Sequence, residues 1–255
     1  EIGNALLKYT DAHARKIDDK ATRKPLYNFT LEYEKALYTK MANSNVEDIL
    51  VTFPFYRIYY TQGLIYEAMA DYTKAFVMYS KAHQWNPFNP KPILKILEGL
   101  KYDGRAQDLL RLSMWYLQIT YSAPNISAAL RYAGYALYLD GKFAEAYAFY
   151  YQAIVYQDGE TPARFNEEIT SVLTALKKDA PYELSRAQIK KLFAYSKFKP
   201  YPSEIAFDTI RPLIINHYTK GNYVDAIRYA TQYVIFRPND DKIMRILKAS
   251  KLNLD

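Results

Sequence analysis

The sequence of 255 residues contains no cysteine, and this absence excludes disulfide bonds, thiolate zinc sites and cysteine nucleophiles together. It leaves the compartment open, because a cysteine-free chain can exist in oxidising and reducing surroundings alike. The first residue is Glu rather than Met, so we infer that the start has been trimmed, either during preparation or by removal of a signal peptide. We favour the second explanation and expect a bacterial, extracytoplasmic (periplasmic) protein.

Long apolar runs and catalytic constellations are missing as well. No apolar stretch approaches the roughly 18 residues needed to cross a bilayer, so we expect no membrane span. The three histidines, His13, His83 and His217, lack carboxylates at metal-ligand spacing. Glycine-rich phosphate loops and serine nucleophile elbows are also absent from the sequence. We therefore predict no metal, no cofactor and no catalysis.

Two pairs of adjacent carboxylates are the remaining candidates for acid–base chemistry. They are Glu167 with Glu168 and Asp240 with Asp241. Neighbouring residues on a helix point to different sides of it, and acidic side chains near a helix start interact favourably with the helix dipole. We therefore interpret both pairs as structural.

The apolar and small residues recur at fixed intervals in three stretches of the chain. Half of the residues are hydrophobic and 24% are charged, which is compatible with a well-filled core. In the first two stretches a glycine is followed after 12 positions by an alanine, then by a tyrosine and a second alanine; the third keeps the pattern in part. The aligned residues are Gly63, Ala75, Tyr79 and Ala82, then Gly134, Ala146, Tyr150 and Ala153, then Ile214, Ala226, Ala230 and Tyr233.

A tight turn is predicted between the two halves of each stretch. Ala70, Gly141 and Gly221 share one aligned position, and glycine readily adopts the left-handed conformation that ends a helix. Each stretch is thus predicted to form a helix, a turn and a second helix. The small residues lie where two helix axes approach to about 8 to 10 Å. Pro87 and Pro238 are expected to end the second helices, because proline lacks the backbone N–H.

This pattern resembles the tetratricopeptide repeat, a helical hairpin of 34 residues with small residues at its eighth, twentieth and twenty-seventh positions and proline at its thirty-second. With Tyr56 as the first position, Gly63, Ala75, Ala82 and Pro87 meet all four requirements. The resemblance implies an all-α fold in which antiparallel helical hairpins stack as a short, right-handed solenoid.

Counting in this frame predicts the organisation of the chain. We predict an N-terminal helical segment over residues 1–52 and a repeat domain over residues 53–255. The predicted hairpins lie near 56–89, 90–124, 127–158, 161–200 (irregular) and 207–238, followed by a capping helix over 240–253. The first helix of the last hairpin contains Pro212, so we expect it to be kinked or to start late. The sequence SRAQ, Ser185–Gln188, is typical of a capping box that opens a helix.

Tyrosine is unusually frequent, with 27 residues against 12 Phe and 2 Trp. A tyrosine hydroxyl must be hydrogen-bonded or in water, which suits half-buried positions and interfaces. Helical spacing assigns Tyr66, Tyr72 and Tyr79 to the core. The resemblance further implies a groove lined by the first helix of each repeat. The groove residues that match this sequence are Arg57, Tyr60, Leu64, Arg131, Tyr135, Tyr138, Arg211 and Tyr218. They are interpreted either as a partner-binding surface or as a partly exposed structural face.

The net charge of +7 lies entirely in the last third of the chain. From Arg186 to Asp255 there are 13 Lys and Arg residues against 6 Asp and Glu residues. We predict a non-catalytic scaffold that binds a protein partner or further copies of itself, and not nucleic acid. Two alternatives stay open: a structural subunit of an extracytoplasmic assembly such as a periplasmic filament sheath or coat, and a binder of nucleic acid or anionic surfaces through the basic third.

Overall fold

The computed structural model describes residues 5, 7–14, 26–43, 50–157, 163–195 and 203–254. These residues form helices and no β-strand; an isolated parallel bridge joins Tyr27 and Leu50. Neighbouring helices pack against each other, as expected of a helical repeat fold. The predicted all-α class is therefore confirmed.

The chain divides into two compact units, Glu1–Tyr102 and Asp103–Asp255. The domain boundary predicted at residue 52 is based on where the repeat pattern ends in the sequence and not on packing. It stays a prediction. The hairpin predicted over residues 90–124 extends across the division, so that its two helices belong to different units.

The first unit is built around one antiparallel helical hairpin. Its helices are α1 (residues 7–14), α2 (Glu32–Ala42), α3 (Phe55–Ala68), α4 (Tyr72–Trp85) and α5 (Pro90–Tyr102). Helices α3 and α4 form the hairpin, and α5 packs on α4. The stacked rings of Phe55 and Trp85, with centroids 4.0 Å apart, lie in its core. Of the predicted N-terminal segment, residues 1–4, 6, 15–25 and 44–49 lie outside the described residues.

The second unit contains two further hairpins. Its helices are α6 (Ala106–Ile119), α7 (Ala123–Leu139), α8 (Phe143–Val155), α9 (Ala163–Ala175), α10 (Arg186–Tyr195), α11 (Glu204–Thr219), α12 (Tyr223–Phe236) and α13 (Asp241–Leu252). Helices α6 to α8 pack in chain order, and so do α11 to α13. Helix α11 also contacts α6, and the Ala123 N–H donates a 2.9 Å hydrogen bond to Gln232 Oε1. The last hairpin therefore packs beside the first helices of the unit.

The region predicted as an irregular hairpin, residues 161–200, holds α9 and α10. Each of these helices packs on α8, and the rings of Phe149 and Phe193 have centroids 4.3 Å apart. The predicted capping box is present at the start of α10. The Gln188 N–H donates to Ser185 Oγ at 3.2 Å, and the Ser185 N–H donates to Gln188 Oε1 at 2.8 Å. Residues 161–162 and 196–200 of this region lie outside the described part of the chain.

Small residues lie at the contacts between paired helices, as predicted. A β-carbon added to Gly63 would overlap the ring of Tyr79, and one added to Gly134 would lie 3.2 Å from both the Ala146 carbonyl oxygen and the Tyr150 ring. The four aligned alanines of these two hairpins, Ala75, Ala82, Ala146 and Ala153, are all buried. A larger side chain at either glycine would therefore force the two helices apart.

The predicted turns are present at all three aligned positions, and the left-handed conformation predicted at the two glycines is found at Ala70 as well. The φ angles are +57° at Ala70, +72° at Gly141 and +73° at Gly221. In each turn two backbone N–H groups bond back to carbonyls of the preceding helix; at Gly141 these bonds are 3.0 and 2.9 Å long. Lys177, after α9, has φ of +56° and makes the same pair of bonds. This arrangement satisfies carbonyls that the end of a helix leaves unpaired.

Proline has the expected effect at two positions, and at a third one of the two expected outcomes is excluded. Helices α4 and α12 end just before Pro87 and Pro238, as predicted. Helix α11 does not start late, because it begins at Glu204 after the N-cap Ser203 and runs through Pro212. Side-chain capping of the Ile205 N–H by Ser203, at 3.3 Å, starts the helix ahead of the proline.

The assignment of three tyrosines to the core holds in part. Tyr79 is buried and Tyr66 is half-buried against the core, but Tyr72 is 69% exposed, so its assignment to the core is wrong. The reason is that the turn at Ala70 resets the helical phase, and Tyr72 is the first residue of α4.

A buried polar cluster links α2 to the connection between α4 and α5. The carboxylate of Glu34, which has no solvent exposure, accepts hydrogen bonds from the Thr30 N–H at 2.6 Å and from the side-chain amides of Asn86 and Asn89 at 2.8 and 2.7 Å. The Tyr56 hydroxyl donates to Asn89 Oδ1 at 2.8 Å. Because a buried carboxylate is costly unless it is hydrogen-bonded, these donors are what allow it to lie there.

Candidate binding cleft

The eight predicted groove residues lie on three helices in two units. Arg57, Tyr60 and Leu64 are on α3 of the first unit, whereas Arg131, Tyr135 and Tyr138 are on α7, and Arg211 and Tyr218 on α11, of the second. Arg57 and Leu64 are exposed and the other six are half-buried. That these side chains bind a partner stays a prediction.

Arg131 holds two helices of the second unit together. Its guanidinium donates two hydrogen bonds to Glu168 on α9, at 2.8 and 2.6 Å, and it lies over the Phe165 ring at 5.3 Å. Burial acts to lower the pKa of Arg131, but the hydrogen bonds to Glu168 together with its negative charge outweigh burial and raise that pKa. Glu168 is nearly buried while Glu167 is exposed, so the adjacent carboxylates point to different sides of α9, as predicted.

Arg211 makes an equivalent link between α11 and α13. Its Nε donates to Asp240 Oδ2 at 2.7 Å, and the Tyr233 hydroxyl donates to the same oxygen at 2.9 Å. The Arg211 hydrogen bond is the main cause that lowers the pKa of Asp240, which also caps α13 by accepting from the Ile243 N–H. Arg131 and Arg211 are thus already paired within the chain.

The first unit contains a third link of this kind. Lys95 on α5 donates to Glu67 on α3 at 2.5 Å, and the Tyr79 hydroxyl donates to the same carboxylate. The Tyr60 ring packs against the Tyr79 ring at 5.6 Å. In all three hairpins an ion pair therefore joins the first helix to the helix after next, and tyrosines fill the space beside it.

A different surface of the second unit is concave. Helices α8 and α9 and the segment 177–183 enclose a cleft of about 820 Å³. Its floor consists of the buried side chains of Tyr150, Ile169 and Leu173. Burial and the Glu168 charge raise the pKa of Tyr150, so its hydroxyl stays neutral at physiological pH.

One wall of this cleft is held by a tyrosine pair. The Tyr147 hydroxyl donates to the Tyr182 carbonyl oxygen at 2.6 Å and accepts from the Tyr182 N–H at 2.8 Å. The two rings stack with centroids 4.4 Å apart, and Lys178 Nζ lies 5.8 Å from the centre of the Tyr182 ring. Burial raises the pKa of both hydroxyls. Both backbone polar groups of Tyr182 are thus hydrogen-bonded to Tyr147, and they hold a segment without regular secondary structure against α8.

The rim of the cleft combines exposed apolar and polar groups. Ile154 and Val155 of α8 are 40% and 60% exposed, and Asn166, Thr170 and Thr174 of α9 are exposed opposite them. An apolar floor with a polar rim is typical of surfaces that bind a ligand or a partner segment. Over the residues that the structure describes, no group of three or more His, Asp or Glu side chains could hold a metal ion.

The sequence interpretation did not identify this cleft. Tyr147 and Tyr151 lie one helical turn apart on α8, which is a signal of a tyrosine-rich face. The other wall, however, comes from a segment 35 residues further along the chain, and no periodicity connects the two.

Comparison with known proteins gives no relative from which a role can be transferred. A scan against protein-family models and searches of curated proteins and of solved structures all find no match. Among the described helices, none combines the length and the apolar character that a bilayer crossing requires.

Proposed function

We propose that this chain is a non-catalytic interaction protein, built from helical hairpins like those of the tetratricopeptide repeat, that binds a segment of a protein partner. The observation that supports the proposal is the cleft between α8, α9 and the segment 177–183. It offers an apolar floor, a tyrosine wall fixed in advance and a rim of hydroxyl and amide groups. A preformed surface of this kind lowers the entropy cost of binding.

For four of the eight groove residues we propose two separate roles. Arg131 and Arg211 hold helices in place through their ion pairs, because their hydrogen-bonding groups already face Glu168 and Asp240. Arg57 and Leu64 are exposed on the first unit and do not line the cleft, so a direct contact of theirs with a partner is a separate proposal. Loss of Arg131 is therefore expected to weaken binding by loosening α9 against α7 rather than by removing a contact.

A pair of matched substitutions on α9 tests the proposal. Thr170 lines the cleft and Ser171 does not, although both are exposed and each donates its hydroxyl to the carbonyl four residues earlier. Thr170→Trp should fill the cleft and abolish binding, whereas Ser171→Trp should leave binding unchanged. Proteins retained from the native extract by the wild type are identified by mass spectrometry and then titrated in purified form against all three chains. Equal binding by the two variants would exclude the cleft.

A second candidate function is that of a structural subunit in a larger assembly. It is favoured by exposed apolar side chains at one end of the α3–α4 hairpin, where Leu64, Ile65, Met69 and Tyr72 all face solvent. Neighbouring exposed apolar side chains of this kind commonly mark association surfaces. Sedimentation over a range of protein concentrations tests it: assembly should grow with concentration and be lost in Met69→Lys. A monomer at every concentration would exclude this candidate.

A further inference from the structure

One face of helix α13 is positively charged and exposed to solvent. Its buried side, Ile243, Ile246 and Ser250, packs toward α11 and α12. Its exposed basic side chains are Lys242, Arg245, Lys248 and Lys251. With a rise of about 1.5 Å per residue they extend over about 13 Å along the helix and around its whole solvent-facing half.

The described residues offer these four cations no carboxylate partner. Of the two acidic residues at the start of α13, Asp240 is bound to Arg211 and Tyr233, and Asp241 lies at the first turn. Arg245 donates only to the Asp241 carbonyl oxygen, at 3.2 Å. Lys248 and Lys251 interact favourably with the negative end of the helix dipole, but this explanation does not apply to Lys242 near the positive end.

Apolar side chains are exposed among the basic ones. Met244, Leu252 and Leu254 are 44%, 68% and 53% exposed. On a helical projection Met244 lies between Lys251 and Lys248, and Leu252 lies between Lys248 and Arg245. A strand of nucleic acid would use the cations but would gain little from these apolar groups. The boundary between lipid headgroups and acyl chains takes up both kinds of side chain.

We propose that α13 is a peripheral membrane contact that binds a surface rich in anionic phospholipid. The lysine and arginine groups pair with the phosphate and carboxylate groups of the lipids, and Met244 and Leu252 enter the acyl-chain boundary. The proposal is independent of the cleft between α8 and α9, since it uses a different helix and different residues.

Helix α10 provides an internal comparison. Arg186, Lys190 and Lys191 are exposed on it, so that it too presents three cations. Its apolar residues Ile189 and Phe193, however, are buried. Among the side chains that the structure describes, α10 thus presents three cations against the four of α13 and no exposed large apolar group, and it serves as the matched control.

Co-sedimentation with lipid vesicles tests the proposal. The wild type should bind vesicles of phosphatidylcholine with about one third phosphatidylserine and should not bind vesicles of phosphatidylcholine alone. Replacing Lys242, Arg245 and Lys248 together by Gln should weaken binding by about a hundredfold, on the basis of about a fivefold loss for each basic residue at an anionic surface. The same replacement at Arg186, Lys190 and Lys191 should change it much less. Circular dichroism checks that both variants remain folded.

A second variant separates a lipid surface from other anionic ligands. Met244→Ser combined with Leu252→Ser should reduce vesicle binding by about tenfold while leaving the weak binding of a single-stranded oligonucleotide unchanged. Four results would overturn the proposal: equal binding to neutral and anionic vesicles, an equal loss in the α10 control, no effect of the two serine substitutions, or tighter binding of the oligonucleotide than of the vesicles.

Discussion

The hairpins α3–α4 of the first unit and α11–α12 of the second place large and small residues in opposite order at aligned positions. In the first, Gly63 on α3 faces the large ring of Tyr79 on α4. In the second, the aligned residues are Ile214 on α11 and Ala230 on α12, and both are fully buried. The larger side chain therefore lies on the second helix of the hairpin in the first unit and on the first helix of the hairpin in the second unit. At these two aligned positions the summed side-chain volume is nearly the same in the two hairpins, although the residue types differ.

The largest expected effect comes from replacing the larger residue of this pair in the first unit. Tyr79→Ala should lower the free energy of unfolding by about 4 kcal/mol, because it removes a buried ring and leaves a cavity. Gly63→Ile alone should cost about 3 kcal/mol through overlap with Tyr79. The double variant copies the α11–α12 arrangement and should cost less than the sum by 1 kcal/mol or more. Urea unfolding measures all three, and Tyr79→Phe controls for the lost hydrogen bond to Glu67. Strict additivity would contradict the volume exchange.

A second difference between the hairpins concerns a half-buried histidine. His83 on α4 aligns with Val234 on α12, and burial lowers the pKa of His83 to about 4. Between pH 6.5 and pH 4 the unfolded chain therefore takes up a proton that the folded chain does not, and stability falls with decreasing pH. The total loss is about 3 kcal/mol relative to neutral pH. His83→Val should abolish this part of the pH dependence.

Thermal or urea unfolding of the wild type and His83→Val at several pH values measures this difference. Carboxylates titrate in the same pH range in the wild type and in His83→Val, so the relevant quantity is the difference between their two curves of stability against pH. Parallel curves between pH 6.5 and pH 4 would show that His83 is accessible to protons in the folded state.

The two hairpins share a buried alanine that should be equally intolerant of larger residues. Ala75 and Ala226 are aligned, with 3% and no exposure respectively. Ala75→Leu and Ala226→Leu should each lower the free energy of unfolding by about 2 kcal/mol through overpacking of a helix pair. Ala144→Leu, at a half-buried position of α8, serves as a milder comparison. An unchanged melting temperature for Ala75→Leu would contradict the repeat frame.

The smallest expected effect concerns the turn. Ala70 has φ of +57° where the aligned Gly221 has +73°, and an L-residue with a side chain is strained in this region. Ala70→Gly should therefore raise stability by about 0.5 kcal/mol, offset in part by the entropy of the unfolded chain, whereas Gly221→Ala should lower it by about 1 kcal/mol. Chemical denaturation resolves both changes. Destabilisation by Ala70→Gly would indicate that unfolded-state entropy dominates at this turn.

Much of the fold follows from local features of the sequence. Glycine at positions 141 and 221 and proline at positions 87 and 238 mark where helices stop, and the small residues mark where helices meet. These features act within a few residues of themselves or across a single hairpin. Patterns of 34 residues therefore predict them well.

The parts that the sequence did not predict depend on contacts between distant segments. Glu34 is buried because Asn86 and Asn89, more than 50 residues away, supply its hydrogen bonds. Glu168 could be assigned to a helix but not to Arg131, which lies on a different helix. Tyr72 is an error of another kind. The helical spacing that predicts it in the core continues across the turn at Ala70, where the helix is interrupted.

The turn at Lys177 has the same two backbone hydrogen bonds as the three repeat turns, yet no helix follows it directly. Residues 179–185 have no regular secondary structure, Tyr182 among them is bonded to Tyr147 of α8, and α10 begins only at Arg186. Where the repeat supplies a second helix to cover its neighbour, this chain leaves an opening bordered by tyrosines. A recognition surface can thus originate from a delayed helix: an array of repeats needs only to begin its next helix later, and the space left beside its neighbour becomes available to a ligand.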